Sequence, residues 1–351
     1  MSAEMESIPA TARLRLDKDA LVQNWQTLDR LSGTASAGAA VKANAYGLGA
    51  RNVTRFLIEA GCHDFYVANW REAAEISELM VDNACLSVLN GIRDEDMAFA
   101  LNMSAKPVLN SIEQVRRWAP TGRPCDIMIN SGMNRLGINR DDLEQADLGT
   151  LAIDQVMSHM ASADEDVSQN ADQLAQFRSA LESINGQRVS LANSAAIALG
   201  SDYHFDCTRP GLSIYGGKPR PELESLIQQV ATPQAQILQV RELQPGDKLG
   251  YNAQYTAQRI HRIAILAMGY ADGYLRAFSN NGQFSHQGNA LPVLGRVSMD
   301  LIAVDLSADD SLREGGWLDC SYDLLQASRD TGLSQYELLT NLGQRFDENW
   351  I

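Results

Sequence analysis

The chain has 351 residues, 45% of them hydrophobic and 21% charged, and its 29 lysines and arginines against 44 aspartates and glutamates leave a formal net charge of −15. Such a length exceeds one small core and predicts two domains, or one barrel with an appendage, in an ordinary soluble globular composition. The acidic surface repels nucleic acid and anionic membrane, so neither is expected as a partner, although an anionic ligand in a locally basic pocket is not excluded.

The opening residues 1–10 carry acids and no apolar segment, unlike a secretory signal, and no apolar run approaches membrane-spanning length. A cytoplasmic location is expected. Cys62, Cys85, Cys125, Cys207 and Cys320 are odd in number and scattered. They read as free, buried thiols rather than as a disulfide framework or a zinc site, so no metal is expected.

In chain order, Thr11–Leu16 alternates like a strand. Leu21–Leu31 reads as a helix, Ala39–Ala43 as a buried strand, and Arg51–Ala60 as a helix stopped by Gly61. Further strands are expected at Phe65–Ala68, Leu86–Leu89, Lys106–Leu109, Asp126–Ile129, Gln155–Ser158, Val189–Ala192 and Gly211–Tyr215. Helices fall between most of them, at Arg71–Met80, Ser111–Trp118 and Asn170–Ile184. Eight strands alternating with helices imply parallel pairing and a closed (β/α)8 TIM-type barrel over residues 11–230. An open doubly wound sheet is the alternative, but no glycine-rich fingerprint follows the first strand.

The texture changes near residue 230. Val230–Val240 reads as a strand with no helix after it, Leu243–Asp247 as a turn, Val293–Val304 as strand-rich with Gly295 punctuating it, and Ser334–Leu342 as a short helix. Residues 231–351 are therefore expected to form a mainly-β C-terminal domain, with which the N-terminal segment 1–16 could pair.

Reactive residues of a parallel barrel sit at the C-terminal ends of its strands. Lys42 lies there, in Ala40-Val41-Lys42-Ala43-Asn44-Ala45-Tyr46-Gly47. A lysine ending a buried strand is costly to desolvate without a charge partner or a covalent role, such as a Schiff base to pyridoxal phosphate. Arg135 follows the fifth strand, His159 the sixth, and Asn193-Ser194 the seventh, while Arg209 and Gly211 flank the eighth. Each alone has an ordinary reading: a core histidine, a surface ion pair, a helix cap, a snorkelling lysine. Their coincidence at strand ends is what points to a site.

The Lys42 segment resembles the cofactor-lysine motif of the alanine racemases. Also similar to that family are Asn130–Gly137 around Arg135, Ser158–Asp164, the Asn193-Ser194 run, Arg209–Gly216, Leu249–Thr256, Gly269–Gly273 and Gly295–Asp300. Eight motifs in order cover almost the whole chain. The resemblance implies that Lys42 holds pyridoxal phosphate covalently. Tyr46, Ser194 and the backbone of Gly211 and Leu212 would take its phosphate, and Arg209 would hydrogen-bond the pyridine nitrogen and leave it unprotonated. It further implies two proton-transfer residues, Lys42 and Tyr251, with His159 contacting the phenol. Arg135 and the Met299 backbone would bind the substrate carboxylate, and Tyr270 would gate the entrance. In this family the tyrosine serves the partner subunit's cofactor, so a head-to-tail homodimer with shared sites is implied.

Three positions depart from the family pattern. Met128 stands where a lysine, sometimes carbamylated, often lies seven residues before the arginine. Leu48 follows Gly47 where histidine is common, and Gln344 precedes Arg345 where a phosphate-contacting tyrosine is frequent. The implied activity is interconversion of L- and D-alanine. Alternatives are a racemase of broader range, acting on serine for example, and a non-catalytic pyridoxal-phosphate carrier. The second domain argues against a carrier, and Arg209 argues against an amino-acid decarboxylase, which needs a stronger electron sink.

Overall fold

The computed structural model describes every residue except 1–7, 82, 144–147, 185 and 344, so the Gln344 position lies outside the described residues. Two compact units are present: Ala20–Gln228, and Gln229–Ile351 together with the described residues through Asp19.

The first unit is a parallel barrel. Its strands run in order from Asp64–Val67 through Cys85–Val88, Lys106–Leu109, Pro124–Met128, Ala152–Met157 and Arg188–Ser190 to Cys207–Thr208. Two short pieces, Ser36–Ala37 and Ala39–Ala40, occupy the two ends of this sheet order and are one strand parted by Gly38. The earlier piece pairs with the last strand (Cys207↔Ser36, Thr208↔Ala37), and the later piece with the second (Ala39↔Phe65, Ala40↔Tyr66). One strand thus closes the ring, and a parallel barrel of eight strands results, as the alternation of elements implied.

Gly38 makes that closure possible. A Cβ at this position would sit 2.7 Å from the Asp64 carbonyl oxygen and 2.8 Å from a ring carbon of Tyr66. The backbone on either side bonds across the junction, with Gly38 N–H donating to Thr208 O at 2.9 Å and Ala40 N–H to Pro210 O at 2.9 Å.

Within the barrel, charged side chains gather toward the N-terminal ends of the strands. Arg188 forks onto Asp64 at 2.8 and 2.9 Å and reaches Asp154 at 3.2 Å, while Lys106 bonds Asp126 at 3.2 Å and also Asp154. Toward the other end lies an apolar group of Tyr66, Val108, Met128 and Met157. Met128 is buried there, so its side chain packs the barrel interior. The thiols of Cys62, Cys125, Cys207 and Cys320 are free and buried, and that of Cys85 is free and half-buried.

Two expectations need correction. The apolar run Gly211–Tyr215 is not the eighth strand. That strand is Cys207–Thr208, and Leu212–Tyr215 forms a buried 3-10 turn. Pro210 has no N–H to give a ladder, and the Tyr215 hydroxyl donates to Ala40 O at 2.8 Å, turning the run back onto the first strand. The first strand stops at Ala40 rather than Ala43, because residues 43–46 take left-handed backbone angles. Val293–Val304 is strand-rich as read, two strands, Asn289–Leu294 and Ile302–Asp305, parted by a loop that begins at Gly295.

The second unit is mainly antiparallel. Its long strand Ala231–Leu243 pairs antiparallel with Ala12–Leu16, Trp317–Cys320 and His261–Leu266. Ala12, Leu14 and Leu16 point inward along the N-terminal strand, whose alternation was legible in the sequence. A separate two-stranded hairpin, Lys248–Leu249 with Tyr255–Thr256, carries Tyr251 in its turn. The helices Leu324–Thr331 and Gln335–Thr340 precede the last strand, Asp347–Trp350, which pairs parallel with Ala12–Leu16. Among the described residues no helix is long and apolar enough to cross a membrane.

Replacing Gly38 with alanine should overpack the closure and cost about 1–3 kcal/mol of stability. Urea unfolding of the variant beside the parent checks this, and an unchanged midpoint would mean the junction has slack.

Candidate active site

Val41 N–H donates to Tyr66 O at 2.9 Å as the first strand ends. Lys42 then opens a turn in which Ala43, Asn44, Ala45 and Tyr46 have φ of 53°, 54°, 52° and 57°. L-residues avoid this region at roughly 1–2 kcal/mol each, so surrounding bonds must hold it. Ala45 N–H donates to Val41 O at 2.9 Å, Gly47 N–H to Ala43 O at 2.9 Å, and Gly49 N–H to Asn44 O at 3.0 Å. The Asn44 side chain accepts from Ala50 N–H at 2.8 Å. Glu72 ties the turn to the end of the strand Asp64–Val67, accepting from Ala43 N–H at 3.1 Å and from Ala68 N–H at 2.7 Å.

The Lys42 amine is half-buried at the C-terminal mouth of the barrel. Its pKa is lowered, first by desolvation and then by the positive charge of Arg135; Glu72 opposes this and Arg209 adds to it. More of the amine is therefore the free base near neutrality than an exposed lysine would provide. Arg135 itself is exposed.

Arg209 follows the eighth strand and is 7% exposed. Its guanidinium donates to the Ser190 hydroxyl, to Ser158 O, and at 3.4 Å to Leu191 O, all of them neutral acceptors. Burial lowers its pKa, but arginine keeps its proton in proteins. A buried cation among uncharged acceptors is a directed source of positive potential. His159, after the sixth strand, feels it: burial first, then Arg209, Arg135 and Lys42, push its pKa down to about 3. The imidazole is neutral at any ordinary pH.

On the other side of the mouth, Asn193 caps the helix Ser194–Leu199, accepting from Ala196 N–H at 2.9 Å. The buried Ser194 hydroxyl accepts from Gly211 N–H at 2.9 Å and Ser213 N–H at 3.2 Å. Leu212 opens the 3-10 turn beside them, so its amide has no intrahelical partner. A Cβ on Gly211 would lie 2.3 Å from the Tyr46 hydroxyl. The Tyr46 ring stacks on Tyr215 at 4.7 Å between centroids. The Ser213 hydroxyl is buried without a partner among the described residues. Hydroxyls, the Leu212 amide and a buried cation bonded to neutral acceptors suit a phosphorylated ring.

The barrel unit thus brings Lys42, Tyr46, Arg135, His159, Ser194, Arg209, Gly211 and Leu212 to one mouth. In the other unit, Tyr251 is 70% exposed and Met299 53% exposed. Tyr251 borders a cleft of about 400 Å³ with Leu249, Arg296, Ser298 and Leu301. Tyr270 N–H donates to Ser298 O at 3.0 Å and Ala271 N–H to Met299 O at 3.0 Å, which joins the Tyr270 and Met299 loops. A Cβ on Gly269 would lie 2.3 Å from Met299 O, so only glycine permits that approach. Arg276 lies 5.0 Å over the Tyr270 ring.

Sequence reasoning passed over Glu72, Ser158 and Ser190. Glu72 sits at the third position of the helix Trp70–Ile76, where an acid is expected for capping alone. The two serines carry no pattern that links them to an arginine many residues away.

Comparison with known proteins agrees with this geometry. Residues 16–219 match the family description "Alanine racemase, N-terminal domain", and residues 230–350 match "Alanine racemase, C-terminal domain". The alanine racemase of Rhodospirillum rubrum is 41% identical over 97% of this chain and 96% of its own. A catabolic alanine racemase of Agrobacterium fabrum is 37% identical over 97% of this chain and 92% of its own. Among solved structures, alanine racemase from Bartonella henselae with covalently bound pyridoxal phosphate superposes with a TM-score of 0.90. It shares 33% identity and covers 98% of this chain and 100% of that one. With both halves matched and such identity along nearly its whole length, the chain belongs to the alanine racemase family.

Proposed function

We propose that this protein is a pyridoxal-phosphate-dependent racemase that interconverts L- and D-alanine, working as a cytoplasmic homodimer with shared sites. The observation that carries the reading is the barrel mouth, where a lysine of lowered basicity stands beside a buried arginine whose hydrogen-bond partners are all uncharged. Lys42 would hold the cofactor, with Tyr46, Ser194 and the Gly211 and Leu212 amides on its phosphate and Arg209 at its ring nitrogen. When bound, pyridoxal phosphate supplies an electron-withdrawing ring that acidifies the α-hydrogen of an amino acid.

The chain's residues then divide the remaining tasks. Arg209 keeps its own proton and can only donate, so it would leave the cofactor's ring nitrogen unprotonated and the electron sink moderate, which would limit side reactions. The Lys42 amine, biased toward its free base, takes or returns a proton on one face of the α-carbon. The Tyr251 hydroxyl serves the opposite face, contributed by the other subunit. Neutral His159 would hydrogen-bond that phenol without adding charge. Arg135 and the Met299 backbone would bind the substrate carboxylate, and Tyr270 would line the entrance. The packed Met128 leaves the carboxylate to these groups.

Purified protein with added pyridoxal phosphate should equilibrate L- and D-alanine faster than serine or larger amino acids, as read by chiral analysis of a substrate panel. Preference for serine would replace the substrate assignment, and no racemisation of any amino acid would overturn the proposal.

Tyr251→Phe should lower kcat in both directions by about 100-fold or more while cofactor absorbance persists. Full activity in that variant would refute a two-base reaction.

For His159, the folded pKa of about 3 lies below the ordinary 6.5. Between these values the unfolded chain binds the extra proton, so the histidine's effect is destabilisation as pH falls below 6.5, with none above it. His159→Gln should therefore lose less stability than the parent between pH 7 and pH 5 in urea titrations.

A further inference from the structure

We propose that Tyr255, His261 and Asp305 are positioning residues that fix the Tyr251 hydroxyl in place by anchoring its hairpin to the main β-sheet. This rests on the two-base reading above. Tyr251 is 70% exposed, so contacts within its own unit do little to hold its ring. Its location is set by the backbone of the turn. That turn is irregular, with Gly250, Asn252 and Ala253 at φ of 71°, 60° and 48°. The hairpin beneath it is short: its paired positions are Lys248↔Thr256 and Leu249↔Tyr255, with Ala257 bonding Gly246 and Asp247 at its base, and it forms a sheet separate from the larger one. A hairpin so short is marginal by itself.

The Tyr255 side chain crosses from the hairpin to the main sheet. It belongs to the pair that closes the turn, four residues after Tyr251. Its hydroxyl lies 2.8 Å from His261 Nε2, and the two rings meet edge to face at 5.7 Å. His261 is 7% exposed and begins the strand His261–Leu266, which is paired on both sides, with Ala231–Leu243 and with Ile302–Asp305. Its Nδ1 lies 3.2 Å from Asp305 Oδ2. The other Asp305 oxygen accepts from the Ser307 N–H at 2.8 Å and hydroxyl at 2.5 Å, and Arg259 stands 3.9 Å from the carboxylate. A carboxylate only accepts, so Nδ1 carries the ring proton and Nε2 accepts from the phenol. Each polar atom in the chain Tyr255–His261–Asp305–Ser307 has a partner, which makes the link directional and stiff. Burial and the Asp305 charge raise the Tyr255 pKa, which keeps that phenol a donor.

The consequence for catalysis follows from geometry. A proton-transfer group misplaced by about 1 Å loses roughly 100-fold in rate. Freeing the hairpin should therefore slow the Tyr251 step selectively and leave the Lys42 step alone. The test uses holoenzyme with α-protium and α-deuterium alanine of each enantiomer. Tyr255→Phe should lower kcat by roughly 10-fold or more with KM within about twofold, and cofactor absorbance and Tm should stay near the parent. The α-deuterium isotope effect should rise for the enantiomer whose hydrogen Tyr251 removes and fall for the other. His261→Gln, whose amide can still meet the Tyr255 hydroxyl, should lose less than His261→Ala.

The positioning role is overturned if Tyr251→Phe is crippled while Tyr255→Phe retains the parent kcat. It is equally overturned if Tyr255→Phe loses activity with both isotope effects unmoved, since a merely structural defect would do that. If Tyr251→Phe itself remains active, the two-base reading fails and this role falls with it. Should His261→Ala not fold, Tyr255→Phe decides alone.

Discussion

The architecture of the site depends on one steric allowance, the missing side chain at position 38. Because that backbone can lie against Asp64 and Tyr66, a single strand pairs with the last strand on one edge and the second on the other. Closure sets the strand ends in a ring. Lys42, His159, Ser194 and Arg209 come from different strands, yet the ring directs all four to one mouth. A barrel left open at this seam would put the lysine on one edge of a sheet and the arginine on the other.

The two ends of the barrel handle charge differently. Toward the N-terminal ends, the acids Asp64, Asp126 and Asp154 pair with the bases Lys106 and Arg188 through short contacts. Toward the mouth lie the cations Lys42, Arg135 and Arg209, where Glu72 is the acid acting on the lysine and Asp126 one acting on Arg209. The apolar layer of Tyr66, Val108, Met128 and Met157 sits in the same interior. The mouth carries an excess of positive potential despite the chain's net charge of −15. Anionic ligands can therefore be attracted locally by a protein that is acidic overall.

Much of the fold was legible because strand and helix periods alternate, and because a lysine beside a buried apolar run demands an explanation. Lys42, Arg135, His159 and Ser194 were found by their places at strand ends, whereas Arg209 was noticed beside Gly211–Tyr215 and in fact follows Cys207–Thr208. The eighth strand was misplaced because Leu212–Tyr215 is as apolar as a strand and as buried, and burial alone does not distinguish a 3-10 turn from a β ladder. The left-handed turn after Lys42 was unreadable, since Ala-Asn-Ala-Tyr has no glycine to announce positive φ. The Tyr255–His261–Asp305 link was missed for another reason: its last member is 44 residues from the histidine, and each residue reads locally as an ordinary strand or turn position.

The left-handed turn has a consequence for how the protein can change. Its four residues are alanine, asparagine, alanine and tyrosine, all without branching at Cβ. Valine, isoleucine or threonine there would clash most with the carbonyl that already crowds an L-residue in this region. Sequence variation between Lys42 and Gly47 is thereby confined to a narrow alphabet, and mutational libraries that enlarge the pocket should vary the strand-end positions instead.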